Sequence, residues 1–350
     1  MATVLDAPAP AKQKKKLVRR TLRDRSQAIR RTVQVLFLAL NVWIGVEFYL
    51  FVRYFESGEG AQIDRPSGVD GWLPIASLMN LKQWVLTGDI PQSHPAGMFL
   101  LLAFAGVSLV FRKAFCSWLC PVGTVSEYLW KVGRETFRRN FAAPRWLDLP
   151  LRSLKYILLG LFGYAVYSMS PLAIRQFMES PYGIISDVKM LNFFRDLSVT
   201  AAAVLALLVL GSFFVQNLWC RYLCPYGALM GLVSLLSPAR IRREAGPCID
   251  CGKCAKACPS LLPVDQLVQI RSAECTGCLE CVAVCPAEGA LSMVTVPAGR
   301  SVPPWVMAAG MAAIFFGVTG AAIASGHWDM NVPLDIYRSL VPRAHEFGHP

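Results

Sequence analysis

The sequence predicts an all-α membrane protein with about five transmembrane helices, arranged as two parallel span–loop–span–CxxxCP repeats, with a small metal-bound α+β domain appended. Three observations predict it. The 350 residues are 54% hydrophobic and only 17% charged, where a soluble domain is about a quarter charged. Five apolar stretches are long enough, or nearly so, to cross a bilayer core of about 30 Å, which takes ~20 helical residues. Eight of the twelve cysteines fall in two copies of Cys-x2-Cys-x2-Cys-x3-Cys-Pro.

Residues 1–32 form a basic cytoplasmic N-terminus with ten Lys or Arg, including Lys14, Lys15, Lys16, Arg19 and Arg20. Such a run anchors on anionic membrane lipid. No nucleic-acid module accompanies it, so nucleic acid is not an expected partner. The spans lie near 33–52, 96–113, 154–173, 197–215 and 304–325. The first has a long basic lead and no small-x-small cleavage site, so it reads as an uncleaved anchor. The boundaries that follow are 33–138 for the first membrane repeat and 139–240 for the second, each with its CxxxCP motif. Residues 244–296 form the cysteine-rich domain, 303–325 the fifth transmembrane helix and 326–350 a periplasmic tail.

Orientation follows from counting Lys plus Arg. Segments 1–32, 112–155 and 216–302 carry 27, and segments 53–95, 169–197 and 326–350 carry 8. The first set is therefore expected in the cytoplasm, with the protein multi-pass in a bacterial inner membrane and its C-terminus periplasmic. Metal-binding thiolates must stay reduced, which favours the same side for the cysteine-rich domain. All four histidines, His94, His327, His345 and His349, fall outside the spans by this map. Intramembrane bis-histidine haem is therefore not expected, and the tail histidines read as solvated residues.

The other four cysteines repeat as well. Cys116-Ser-Trp-Leu-Cys120-Pro121-Val-Gly123 recurs 104 residues later as Cys220-Arg-Tyr-Leu-Cys224-Pro225-Tyr-Gly227. Residues four apart on one helix share a face, which points Cys116 and Cys120 one way, and likewise Cys220 and Cys224. The proline breaks or kinks the helix. Packed about a pseudo-two-fold axis, the four sulfurs converge near the cytoplasmic boundary. A third iron–sulfur cluster, zinc, copper(I) or a dithiol pair all suit such a set. The plain alternative is that small buried cysteines simply pack.

In the eight-cysteine pattern of bacterial two-cluster ferredoxins, the fourth cysteine of each run ligates the other cluster. One 4Fe-4S cluster is then expected on Cys248, Cys251, Cys254 and Cys285, and a second on Cys275, Cys278, Cys281 and Cys258. Gly252 and Gly277 let backbone amides approach. The crossing staples a segment too small to bury much core without metal.

With both motifs in view, the chain resembles the NapH, NosR and CcoG group of membrane-bound polyferredoxins, and the MauN proteins near NapH. The resemblance covers about residues 33–295. The chain differs in lacking the flavin-carrying periplasmic domain of NosR-type proteins and the outer globular domain of CcoG-type proteins. Unlike NapH-type proteins it adds a fifth span. The resemblance implies quinol-linked electron delivery to a respiratory or metalloenzyme system through a redox partner protein.

The expected role is thus an electron carrier, or the quinol-oxidising component of a larger oxidoreductase, with quinone or quinol as a further ligand. The alternative is a metallocofactor maturation factor that reduces copper or protein thiols at the CxxxCP cysteines. A structural anchor for a separate redox complex is a third class. Glu47 is the only acidic residue in an expected span and is the catalytic candidate for quinol; snorkelling to the outer surface is its plain alternative. Asp187, near Pro181 and Tyr182, is a weaker one.

Overall fold

The computed structural model describes residues 17–21, 24–58, 60–138, 141 and 143–349. Lys14, Lys15 and Lys16 lie outside the described residues. Helix α1 (Ser26–Ser57) ends where Gly58 takes a left-handed conformation and its N–H caps Tyr54 O, the usual helix-ending role of glycine. A 3₁₀ turn (Ser67–Trp72) leads to α2 (Pro74–Thr87) and α3 (Pro95–Phe111). The first repeat closes with α4 (Phe115–Trp118) and α5 (Pro121–Phe137). The second runs through α6 (Arg145–Ser168), α7 (Pro171–Met178), α8 (Pro181–Ile184), α9 (Ser186–Arg195) and α10 (Val199–Phe214). A π-helical turn (Trp219–Leu223) and α11 (Pro225–Ser234) end it. Proline opens many of these helices because the first helical position needs no N–H donor.

The cysteine-rich segment lies between strand β1 (Ala239–Arg243) and strand β2 (Leu291–Thr295), which pair antiparallel with Ala239 opposite Thr295. It carries two short helices, α12 (Lys253–Ala257) and α13 (Glu280–Ala283). The chain finishes with α14 (Pro304–Ala324) and α15 (Leu334–Leu340).

The molecule is mostly helical, and the expected span count resolves differently. Among the described residues three helices are long and apolar enough to cross a membrane: α1, α6 from Trp146, and α14. The pair α9–α10, bent by 80°, makes up to four. Helix α3 is apolar but has 17 residues. The expected span 154–173 stops at Ser168 because Pro171 cannot continue the helix and opens α7 instead. The expected span 96–113 stops at Phe111, because Arg112 turns left-handed (φ 64°).

Packing between the repeats is reciprocal. Helix α3 of the first packs on α11 of the second, and α10 of the second packs on α5 of the first. At the α5–α10 crossing a Cβ on Gly133 would lie 1.9 Å from Phe213 O, so only glycine lets the backbones meet. One apolar core runs from Leu101, Phe104 and Val107 of α3 through Phe115 and Trp118 into Ile241, Leu262, Ile270 and Met293 of the cysteine-rich segment. That segment therefore buries its apolar face against the helices rather than standing free on a tether. Trp118 Nε1 donates to Gly277 O (3.1 Å) and Ser117 Oγ to Thr276 O (2.7 Å). The stretch ahead of α1 joins it too: Arg20 N donates to Pro286 O (3.1 Å) and Glu288 N to Val18 O (3.0 Å).

Candidate metal centres

Cys116, Cys120, Cys220 and Cys224 line one cavity. They do not reach it from two continuous helices. Cys116 lies in α4, Cys220 in the π-helical turn, and Cys120 and Cys224 are the N-caps of α5 and α11. The expectation that each pair shares one helix face is thereby corrected, because the proline begins a new helix directly after the second cysteine of each motif. Just before each motif the chain turns left-handed, at Arg112 and at Asn217 (φ 51°). Cys120 Sγ accepts from Gly123 N (3.4 Å) and Cys224 Sγ from Gly227 N (3.2 Å). The glycine of the motif now has a reason: a Cβ on Gly123 would lie 2.1 Å from Cys116 O.

The electrostatics of this cavity are unusual. Burial pushes the Cys116 thiol up to about 11, although Lys113 beside it pulls the other way. Burial and the neighbouring Cys116 push Cys120 up to about 12, against the opposing helix-end amides. Neutral thiols are thus favoured until a cation arrives to take their protons' place. Lys113, Tyr226 and Glu274 line the same space. Glu274 is bound on both oxygens by Lys155 Nζ (2.7 and 2.6 Å), and Tyr156 OH donates to it at 3.1 Å. Burial works to raise the Glu274 carboxyl, but Lys113 and Lys155 hold it below its ordinary value.

A second cavity is lined by Cys258, Cys275, Cys278 and Cys281 with Ile241, Leu262, Val264 and Ile270. A third is lined by Cys248, Cys251, Cys254 and Cys285 with Asp250, Lys253 and Asp265. Cys258 thus stands with the second run and Cys285 with the first. Four sulfurs around each space, in the two-cluster ferredoxin spacing, fit a four-iron cluster. In the second, Cys258, Cys275, Cys278 and Cys281 are all buried, whereas Cys251 in the third is exposed. Pro259, Ser260, Thr276 and Cys278 wall both the first and the second cavity. Gly277, with φ 61°, serves docking as well, since a Cβ there would lie 3.0 Å from Phe111 O.

A buried ion-pair network locks this wall to α1. Arg30, fully buried, binds Glu127 with both terminal nitrogens (2.6 Å each) and Glu280 at 2.9 Å, while Lys131 bridges the same two carboxylates. Burial alone would raise the Glu127 carboxyl, yet its bonds to Arg30 and the charges of Arg30 and Lys131 bring it down to about 2. Gln27 Nε2 donates to Cys278 O (2.9 Å).

Glu47 joins none of this. It lines none of the three cavities, and α1 continues to Ser57, placing Glu47 about 15 Å from the helix end rather than close beneath it. Asp187 and His94 are fully buried. At the end of α3 away from the cysteines, about 25 Å along the helix, Arg65, Asp70, His94 and Asp187 form a quartet. Arg65 Nε donates to Asp187 Oδ2 (2.7 Å), Arg65 Nη2 reaches Asp70 Oδ1, and His94 Nδ1 lies 2.8 Å from that same oxygen. His94 Nε2 lies 2.9 Å from Gly183 O. The two carboxylates and the imidazole could together hold a metal ion, but the Arg65 guanidinium already supplies the cation. Lys113, Arg30, Arg65 and Asp70 escaped sequence reasoning because each reads as a loop or boundary charge; for Lys113 and Arg30 the one signal was their position beside an apolar run.

The family described as "4Fe-4S binding domain" matches twice, at residues 93–140 and 197–244, an offset of 104 at both ends. The family described as "4Fe-4S dicluster domain" matches residues 239–293. The chain is 49% identical over 326 residues to the "Putative electron transport protein YccM" of Escherichia coli (strain K12), covering 91% of each. It is 26% identical over 225 residues to the "Ferredoxin-type protein NapH" of the same organism, covering 61% of this chain and 71% of that protein. It is 33% identical over 190 residues to the "Regulatory protein NosR" of Pseudomonas aeruginosa, covering 53% of this chain and 25% of that protein. No solved structure matches the chain.

Proposed function

The chain belongs to the NapH/NosR-type membrane polyferredoxins, and from that premise we propose that it carries electrons between the quinol pool and a respiratory or metalloenzyme redox partner. The observation that supports this most is the set of three cavities: four cysteines line the second and four the third, while Cys116, Cys120, Cys220 and Cys224 line the first together with Cys278, which it shares with the second. Cys248, Cys251, Cys254 and Cys285 hold one 4Fe-4S cluster in this reading, and Cys275, Cys278, Cys281 and Cys258 hold another. Cys116, Cys120, Cys220 and Cys224 hold a third metal centre. When bound, a four-iron cluster takes up and returns one electron without making or breaking a bond.

The residues around the cavities divide the work. Ile241, Leu262, Val264 and Ile270 keep water from the second set of sulfurs. The exposed Cys251 marks where a soluble partner approaches. Arg30, Gln27 and Trp118 hold the cysteine-rich segment against the helices. Quinol is assigned to the neighbourhood of the first cavity, not to Glu47, because a donor must stand close to an acceptor. The protein is read as an inner-membrane one, with the cysteine-rich side in the cytoplasm on the strength of the Lys and Arg count.

Anaerobic titration of the purified protein with a reduced quinone analogue tests this reading. Bleaching of the cluster absorbance, abolished by alanine at all of Cys116, Cys120, Cys220 and Cys224, is the expected result. Clusters that dithionite reduces but no quinol analogue touches would overturn it.

A further inference from the structure

Lys113 presents a buried charge that no described residue meets with a direct bond, Glu274 acting on it only from beyond ion-pair distance. The residue is 3% exposed and lines the four-cysteine cavity. Among the described residues its ammonium makes no hydrogen bond or ion pair. The carboxylate that shares the cavity wall, Glu274, has both oxygens held by Lys155. Arg30, in the same wall, is matched by Glu127 and Glu280. A fixed cation is therefore left over, and an unpaired buried charge is strongly unfavourable. Its position is defined from the other side by Gly227, since a Cβ built there would lie 3.6 Å from Lys113 Nζ and 3.5 Å from Cys224 Sγ. The ammonium and the sulfur thus flank the same point at the start of α11.

We propose that Lys113 is the built-in counter-charge of an anionic centre held by Cys116, Cys120, Cys220 and Cys224, and that it makes this centre easier to reduce. The inference rests on reading those four cysteines as a third centre. Four thiolates around a metal or cluster core of lower positive charge leave net negative charge, which the ammonium meets. A neutral dithiol or disulfide would leave it unmatched. Taking up one electron adds one more negative charge at the centre, with no bond altered, and a cation nearby favours that form. Lys113 is a positioning residue in this role: it touches the ligands' cavity but supplies no ligand.

An EPR-monitored redox titration of the full-length protein tests it, comparing wild type with Lys113→Met, Lys113→Arg and Glu274→Gln. Lys113→Met is expected to shift the centre's reduction equilibrium toward the oxidised form by tenfold or more, which is 59 mV for one electron. The two ferredoxin-type clusters should move less, and Lys113→Arg should stay near wild type. Glu274→Gln, which removes a nearby anion, should move the centre in the opposite direction; that arm decides the matter where Lys113→Met fails to assemble. A third centre unmoved by either neutralising change overturns the counter-charge. A bound metal at these cysteines that does not titrate overturns the tuning role. Equal metal content in wild type and in the protein with alanine at all four cysteines overturns the third centre and this inference with it.

Discussion

Cys120 and Cys224 each sit where a helix begins, with the sulfur accepting the N–H of the glycine three residues on. A helix N-terminus favours negative charge, so the motif places each sulfur where backbone amides support a thiolate. Gly123 has no room for a Cβ beside Cys116 O. Gly123→Ala should therefore displace Cys116 from Cys120 and lower metal bound at that cavity, while the eight-cysteine segment keeps its iron; metal and sulfide analysis of the purified variant reads this. His94 carries a different lesson. Burial alone would lower its pKa, but Asp70 and Asp187 more than reverse that and hold it above the ordinary value. Its charged form therefore stabilises the fold fully below about pH 6.5, and that contribution is lost as pH rises through the folded pKa. Melting temperature in detergent should fall on the alkaline side for wild type, and this limb should flatten in His94→Gln.

Helix α1 does more than anchor. Its N-terminal turns carry Gln27, Arg30 and Gln34, which reach Cys278 O, Glu127, Glu280 and Ser117 O. Three elements, α1, α5 and α13, meet at one guanidinium. Removing it leaves two partly buried carboxylates with Lys131 as their remaining cation, and losing one member of such a network is destabilising. Arg30→Met should accordingly lower the melting temperature and broaden the EPR signal of the cluster assigned to Cys275, Cys278, Cys281 and Cys258, with the signal of the other ferredoxin-type cluster less affected. A variant with unchanged melting and spectra would show that the network adds nothing to docking. Helix α5 also presents Val125, Val132 and Phe137 outward while Glu127 and Trp130 face inward, a two-sided amphipathic pattern.

At the scale of the whole molecule, what was legible in the sequence was local. The two cysteine runs and the CxxxCP repeat announce themselves by spacing, and the same residues gather around cavities in the structure. Lengths of spans were less legible, because Arg112 and Pro171 end helices that hydropathy alone would extend. Lys113 and Arg112 read as boundary charges, since a count of Lys and Arg cannot see a chain that turns left-handed and tucks back beneath the cysteine-rich segment. His94 and Asp187 read as loop residues, since their partners lie 24 to 122 positions away in sequence. The exchange of helices between the repeats, α3 on α11 and α10 on α5, was not legible at all. It means that each half holds a wall of the other's house. Severed in the connection after Phe137, the two pieces should find one another again: co-expressed, they should co-purify with the iron of the uncut chain, whereas either alone should arrive nearly bare.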